Sequence, residues 1–363
     1  MGFHLPKALV SEITKAARKV GVSEKLVHQG LQALDLEAKT GAPPNSGAGY
    51  RPPPGGTPYD HVAGPSAAAV PQPQHAVVAP RPDLVGGSVT PTQEELNNFQ
   101  AAVNKLWDLD VNRLQPGVDY EIEAGEGKKI YEKADLAAGS LFRFVKIEAL
   151  QKPTFAAFVA LLDNYTAQQN VTEVVGQVEL QEMTTFLDEI CATPVMQYVH
   201  KLLVAKNLAP ADLIAFKKVL WKMWFELYGR DGGRQSSSGF EHVFVGEYKE
   251  GEVGGLHNWI QIFLLEKAGA LNYTGFVLPR NRGKPRPDSQ THILTIQFEW
   301  MNQVKAACST FIGTSPEFEI ALYAFCFLAG SENNRMAIAG ANVNIKCYNL
   351  SGRVGSSYPE VED

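Results

Sequence analysis

Two histidines fifteen positions apart, His242 and His257, stand in the stretch Gly239 to Ala268, GFEHVFVGEYKEGEVGGLHNWIQIFLLEKA. Imidazole can serve as base or acid near neutral pH, so two of them facing one cleft can divide the work of removing one proton and delivering another. Phe240, His242 and Phe244 alternate with Glu241, Val243 and Val245, a period of two that puts His242 on or beside a strand. His257 follows the Gly254-Gly255 pair and opens Trp259, Ile260, Phe263 and Leu264 at helical spacing, which places it in a first helical turn. A helix start also offers unpaired N–H groups, a natural seat for a phosphate oxygen. A lone histidine is more often structural, so the pair gains meaning from what surrounds it.

The elements that must position this stretch are legible on both sides. Thr92-Gln93-Glu94-Glu95 is a capping box ahead of Leu96, Phe99, Val103 and Leu106. Helical patterns follow over Thr154 to Tyr165, about Val174 to Ile190, and Ala211 to Tyr228, whose Trp221, Trp224, Phe225 and Tyr228 read as a core stripe. After Arg230-Asp231-Gly232-Gly233 the chain turns to alternating strands at Thr291 to Glu299, Val304 to Phe311 and Val343 to Tyr348, with one helix from Pro316 to Leu328 led in by Ser315. A helical first half (91–230) and a strand-rich second half (231–363) with few crossover helices predict an α+β fold with antiparallel sheets.

Residues 1–39 read as two short amphipathic helices, too small to be stable alone and so a module for partner binding or self-association. Residues 40–90, rich in Pro, Gly and Ala, read as a disordered linker, which leaves His61 and His75 without a role. The four cysteines form no CxxC pair, against both a disulfide framework and a zinc knuckle. The N-terminus lacks the apolar core of a signal peptide, Pro6 breaks a myristoylation pattern, and no apolar run reaches membrane-spanning length, so an intracellular protein is expected. A net charge of −6 is against an unaided nucleic-acid binder. Charge is local, however, and Arg280, Arg282, Lys284 and Arg286 concentrate cations in a Gly/Pro loop suited to backbone phosphates.

GFEHVFVGE followed by GEVGGLHNWIQ resembles the EndoU family, uridylate-preferring endoribonucleases of animals and nidoviruses. LWDLDVNRLQPGVDYEI upstream, and HILTIQFEW, VKAACSTFIGTSPEFEIALYAFCF and GRVGSSYP downstream, resemble the same family in its order, so the likeness runs from about Pro91 to the C-terminus. The resemblance implies cleavage of single-stranded RNA at uridylates by attack of the ribose 2′-OH, leaving a 2′,3′-cyclic phosphate. It implies a triad of His242, His257 and Lys305, with His257 as base and His242 as acid, and supporting roles for Glu241 and Glu247. It further implies a uracil pocket of Ser356 and Tyr358, joined by Ser309. Animal relatives are typically stimulated by Mn2+ or Ca2+, although two histidines and a lysine ask for no metal at the phosphate, and no carboxylate cluster shows defensible ligand spacing. Two other readings compete: an inactive RNA-binding protein of the same fold, and a hydrolytic metal site held by the two histidines and a carboxylate.

Overall fold

The computed structural model describes residues 88–169, 171–230, 235–278, 287 and 291–362. The N-terminal module, nearly all of the linker, and Arg280, Arg282 and Lys284 lie outside the described residues.

The first half is helical. Thr92 accepts from the Glu95 N–H while Glu95 answers to the Thr92 N–H, starting α1 (Gln93–Asn97) as the capping box predicts. Asn98 caps α2 (Phe99–Asp108). A short antiparallel pair, β1 (Tyr120–Ile122) and β2 (Phe142–Val145), precedes α3 (Pro153–Leu161), α4 (Gln177–Cys191), α5 (Pro194–Ala205) and α6 (Leu213–Trp224). Trp221, Trp224, Phe225 and Tyr228 are all buried, which makes them core residues.

The second half carries the sheets. A hairpin of β3 (Glu247–Lys249) and β4 (Glu252–Gly254) leads to α7 (Trp259–Lys267). Antiparallel β5 (Leu271–Phe276), β6 (Ile293–Trp300) and β7 (Gln303–Phe311) form one sheet. Ser315 then caps α8 (Pro316–Ala329) as expected, and β8 (Asn333–Ile338), β9 (Ala341–Leu350) and β10 (Arg353–Val361) form a second sheet in the order β10-β9-β8. The last strand, β10, also lies against β7 of the first sheet, so the two sheets meet at the end of the chain. The expectation of a helical half followed by antiparallel sheets is met. Among the described residues no helix is long and apolar enough to cross a membrane.

One local expectation fails, at the position that matters most. Glu241–Val245 is a single turn of π-helix and not a strand. Phe240 and Phe244 are four apart, and their rings stand 5.1 Å from each other among Phe158, Trp224 and Phe225. Each buried aromatic contributes about 1.5–3 kcal/mol, more than the poorer hydrogen bonds of one wide turn cost. His242 is thereby presented from the far side of an apolar anchor.

Candidate active site

His257 sits one residue before the N-cap of α7, just ahead of the first turn in which the spacing places it, because Asn258 is the cap whose side chain accepts from the N–H groups of Ile260 and Gln261. Its backbone N–H donates to the Val243 carbonyl (2.7 Å), and the N–H of Leu256 donates to that of His242 (3.0 Å). The approach is close enough to require glycine: Gly255 has φ +61°, and a Cβ there would stand 1.6 Å from the His242 carbonyl oxygen. The two histidine segments are thus sewn together, backbone to backbone.

Each ring is then fixed through Nδ1. His257 Nδ1 bonds the Ser309 carbonyl at 2.9 Å, on β7. A carbonyl can only accept, so Nδ1 carries the hydrogen and Nε2 presents a lone pair. His242 Nδ1 bonds Glu247 Oε2 at 2.5 Å. The same carboxylate oxygen receives Gln169 Nε2 (2.8 Å) and Arg230 Nε (3.1 Å). Arg230 in turn donates to the Gly355 carbonyl of β10 (2.7 Å) and to the Tyr228 hydroxyl (2.8 Å), linking the His242 support to the final strand.

The third group arrives from β7. Lys305 is largely covered, and its Nζ donates to the Val253 carbonyl (3.1 Å) on the hairpin next to the glycine pair. Burial lowers its pKa. Burial first, and then the Lys305 ammonium, push the His257 imidazole well below its usual range, against the opposing Ser309 carbonyl. Burial likewise lowers His242, with the Glu247 hydrogen bond opposing and the charges of Arg230 and Lys305 adding. Strand β7 thus carries both Lys305 and the Ser309 carbonyl that holds His257, and Val253, which Lys305 reaches, precedes Gly254, where a Cβ would stand 3.3 Å from the His242 ring.

The two glutamates shift in opposite directions. Burial, then the neighbouring Glu247 and Glu173, drive the Glu241 carboxyl well above its ordinary range. Burial would raise Glu247 as well, but His242 and Arg230 outweigh it and keep the carboxylate ionised. Both are buried, and neither is an outward-facing strand charge.

On the other face of the cleft, the Tyr358 ring stacks on His257 with centroids 4.4 Å apart and planes at 13°. Ser356, two residues earlier on β10, is half-buried and shares that side of the strand, whereas Ser357 turns inward to the Lys346 carbonyl. The Ser309 and Thr295 hydroxyls are hydrogen-bonded to each other (2.8 Å). Gln169, Arg230 and Thr295 are site neighbours that pattern reading did not single out; each is tied to Glu247 or Ser309 by a contact remote in sequence. The remaining described histidines are structural: His200 stacks on Phe216 and bonds the Pro210 carbonyl, and His292 bonds that of Ile312.

Among the described residues, no group of three or more His, Cys, Asp or Glu side chains has an arrangement fit to hold a metal ion. The divalent cation associated with the resemblance therefore finds no fitting ligand set at these residues.

Two imidazoles held by their Nδ1 atoms can take and deliver protons, and comparison with known proteins identifies the family. Residues 98–359 match the family model described as Endoribonuclease XendoU. Uridylate-specific endoribonuclease B of Danio rerio is 44% identical over 270 residues, 72% of this chain and 95% of that protein. Poly(U)-specific endoribonuclease-B of Xenopus laevis is 46% identical over 268 residues, 70% of this chain and 91% of that one. The solved structure described as "The structure of XendoU: a splicing independent snoRNA processing endoribonuclease" aligns at a TM-score of 0.65 and 42% identity, covering 73% of this chain and 97% of its own. The chain belongs to the XendoU family of endoribonucleases.

Proposed function

We propose that this endoribonuclease cleaves single-stranded RNA at uridylates by transesterification, with His257 as general base, His242 as general acid and Lys305 as the fixed cation. His257 Nε2 takes the proton of the ribose 2′-OH as the 2′ oxygen attacks phosphorus. The P–O5′ bond breaks as the His242 imidazolium gives its proton to the departing oxygen. The products are a 2′,3′-cyclic phosphate and a 5′-hydroxyl end, and the Lys305 ammonium stabilises the additional charge of the pentavalent phosphorane between them.

The observation that carries this assignment is the difference in what holds each Nδ1. Burial and a neighbouring ammonium favour a neutral His257, and the Ser309 carbonyl fixes the tautomer that leaves its Nε2 lone pair free, the state of a base. A carboxylate favours a protonated His242, the state of an acid. Tyr358 and Ser356, with Ser309, form the proposed uracil pocket, the ring stacking on the nucleotide and the hydroxyls meeting O2 and N3–H. Arg280, Arg282 and Lys284 are proposed to hold backbone phosphates, and Mn2+ or Ca2+ to act as counterions between an acidic protein and a polyanion. The N-terminal segment 1–39 is proposed to bind a protein partner. Four free, buried cysteines support an intracellular setting.

Purified protein incubated with a uridine-containing oligonucleotide, followed by identification of the ends, tests the reading. A cyclic phosphate and resistance of 2′-deoxyuridine at the cleavage position are expected. Cleavage of the deoxy substrate overturns the mechanism, and RNA binding without cleavage indicates the inactive binding protein instead.

A further inference from the structure

Thr295 on β6 and Ser309 on β7 are direct partners in the antiparallel register, so their side chains leave the sheet on the same face. Their hydroxyl oxygens are 2.8 Å apart, and both residues are half-buried. The rest of each residue is already committed. The Ser309 carbonyl holds the His257 ring, and the Thr295 carbonyl accepts from the Val277 N–H. The Ser309 hydroxyl thus belongs to the residue whose carbonyl holds the His257 ring, which Tyr358 stacks upon, and it has Thr295 as its hydrogen-bond partner.

We propose that Thr295 is a specificity-determining positioning residue, which receives the Ser309 proton so that Ser309 Oγ meets the base as an acceptor and selects uracil over cytosine. This rests on the reading that Ser309 belongs to the uracil pocket. The two pyrimidines share O2 and differ at ring position 3, where uracil carries N3–H and cytosine a bare acceptor nitrogen. A serine hydroxyl has a single proton. To accept from N3–H in a site from which water is excluded, it must send that proton elsewhere, and the Thr295 oxygen is the acceptor at hand. Without that acceptor the uracil mode strands a donor, whereas cytosine can still take the Ser309 proton on N3. An orphaned donor is the costlier loss, so removing the threonine oxygen penalises uracil more than cytosine.

The test uses oligodeoxynucleotides with one ribonucleotide, either ribouridine or ribocytidine, so that each offers one cleavable position. The quantity read is the ratio of kcat/KM for the two in the wild-type protein and in Thr295→Val, Thr295→Ala and Thr295→Ser. A fall of about tenfold in the uridine-to-cytidine ratio for Thr295→Val and Thr295→Ala, with the ratio restored by Thr295→Ser, is expected from the loss of one hydrogen bond. An equal fall on both substrates marks a merely structural threonine and overturns the proposal, as does an unchanged ratio. Should Thr295→Val not fold, the alanine and serine pair decides by the same ratio. Failure of the underlying reading looks different, because the wild-type protein would then cleave neither substrate or show no uridine preference to lose.

Discussion

The rings of His257 and Tyr358 lie face to face, centroids 4.4 Å apart and planes at 13°, so the proposed base and the proposed nucleotide platform share one wall. Position and recognition are therefore coupled. Tyr358→Ala removes a surface worth about 1–3 kcal/mol per stacked base and also frees the imidazole to tilt, so KM is expected to rise and kcat to fall together. Tyr358→Phe keeps the ring and should stay within a few fold of wild type. Steady-state kinetics on a short uridine substrate separates the two contributions.

The triad predicts a loss of rate without a loss of affinity. His257→Ala and His242→Ala should each lower kcat by about 10²–10⁴-fold, the range of general acid–base assistance. Lys305→Ala should lower it by about 10²–10³-fold, as expected for a preorganised charge at the transition state. RNA binding measured by fluorescence anisotropy should change little for the two histidine variants. Weakened binding in proportion to the lost rate would show that these side chains hold the ground state instead.

The different supports of the two imidazoles also fix the form of the pH profile. His257 must be neutral to act as base, and burial with Lys305 holds it well below its usual range, so the acid limb of kcat/KM belongs to it. His242 must be protonated to act as acid, and burial lowers it less than it would without Glu247, so the alkaline limb belongs to His242. With both groups lowered, the free enzyme should be most active on the acid side of the ordinary imidazole value of about 6.5. Glu247→Gln removes the charge that favours the His242 proton. The alkaline limb should then move to lower pH, with the acid limb unmoved and activity at pH 7 down by about tenfold. A shift of the acid limb alone would reverse the two roles.

How far these relationships were legible in sequence depends on their range. Caps are local chemistry, and Thr92 and Ser315 announce α1 and α8 through residues three positions away. The helical half, the antiparallel strands and the core role of Trp221 and Trp224 follow from periodicity in the same way. Period two puts His242 on or beside a strand, yet it stands on a π turn, because Phe240, His242 and Phe244 satisfy period two as well as the pairing of Phe240 with Phe244 at i, i+4, and only the aromatic cluster from α3, α4 and α6 decides between them. Lys305 carries no local signal at all, and the family resemblance alone selected it. Gln169 and Arg230 were invisible for a related reason. They reach Glu247 from 78 and 17 positions away, and nothing in their own neighbourhoods specifies a common target.

The glycine that joins the two histidine segments gives the sharpest structural prediction. Gly255→Ala would set a Cβ 1.6 Å from the His242 carbonyl oxygen at a φ of +61°, and the obstacle is backbone that cannot swing aside. Relief requires parting Leu256 and His257 from the π turn, which breaks the bonds from the Leu256 N–H to the His242 carbonyl and from the His257 N–H to the Val243 carbonyl. A destabilisation of at least about 3 kcal/mol is expected, in the range reserved for strain and broken buried networks. Gly352→Ala supplies the control, with φ at +84° but its nearest neighbours, Lys222 Cε and Nζ, 4.0 Å away. It should cost only the left-handed backbone penalty of about 1 kcal/mol. Denaturant unfolding of the two variants measures the difference, and equal losses would mean that the close approach of the histidine segments contributes nothing beyond backbone conformation.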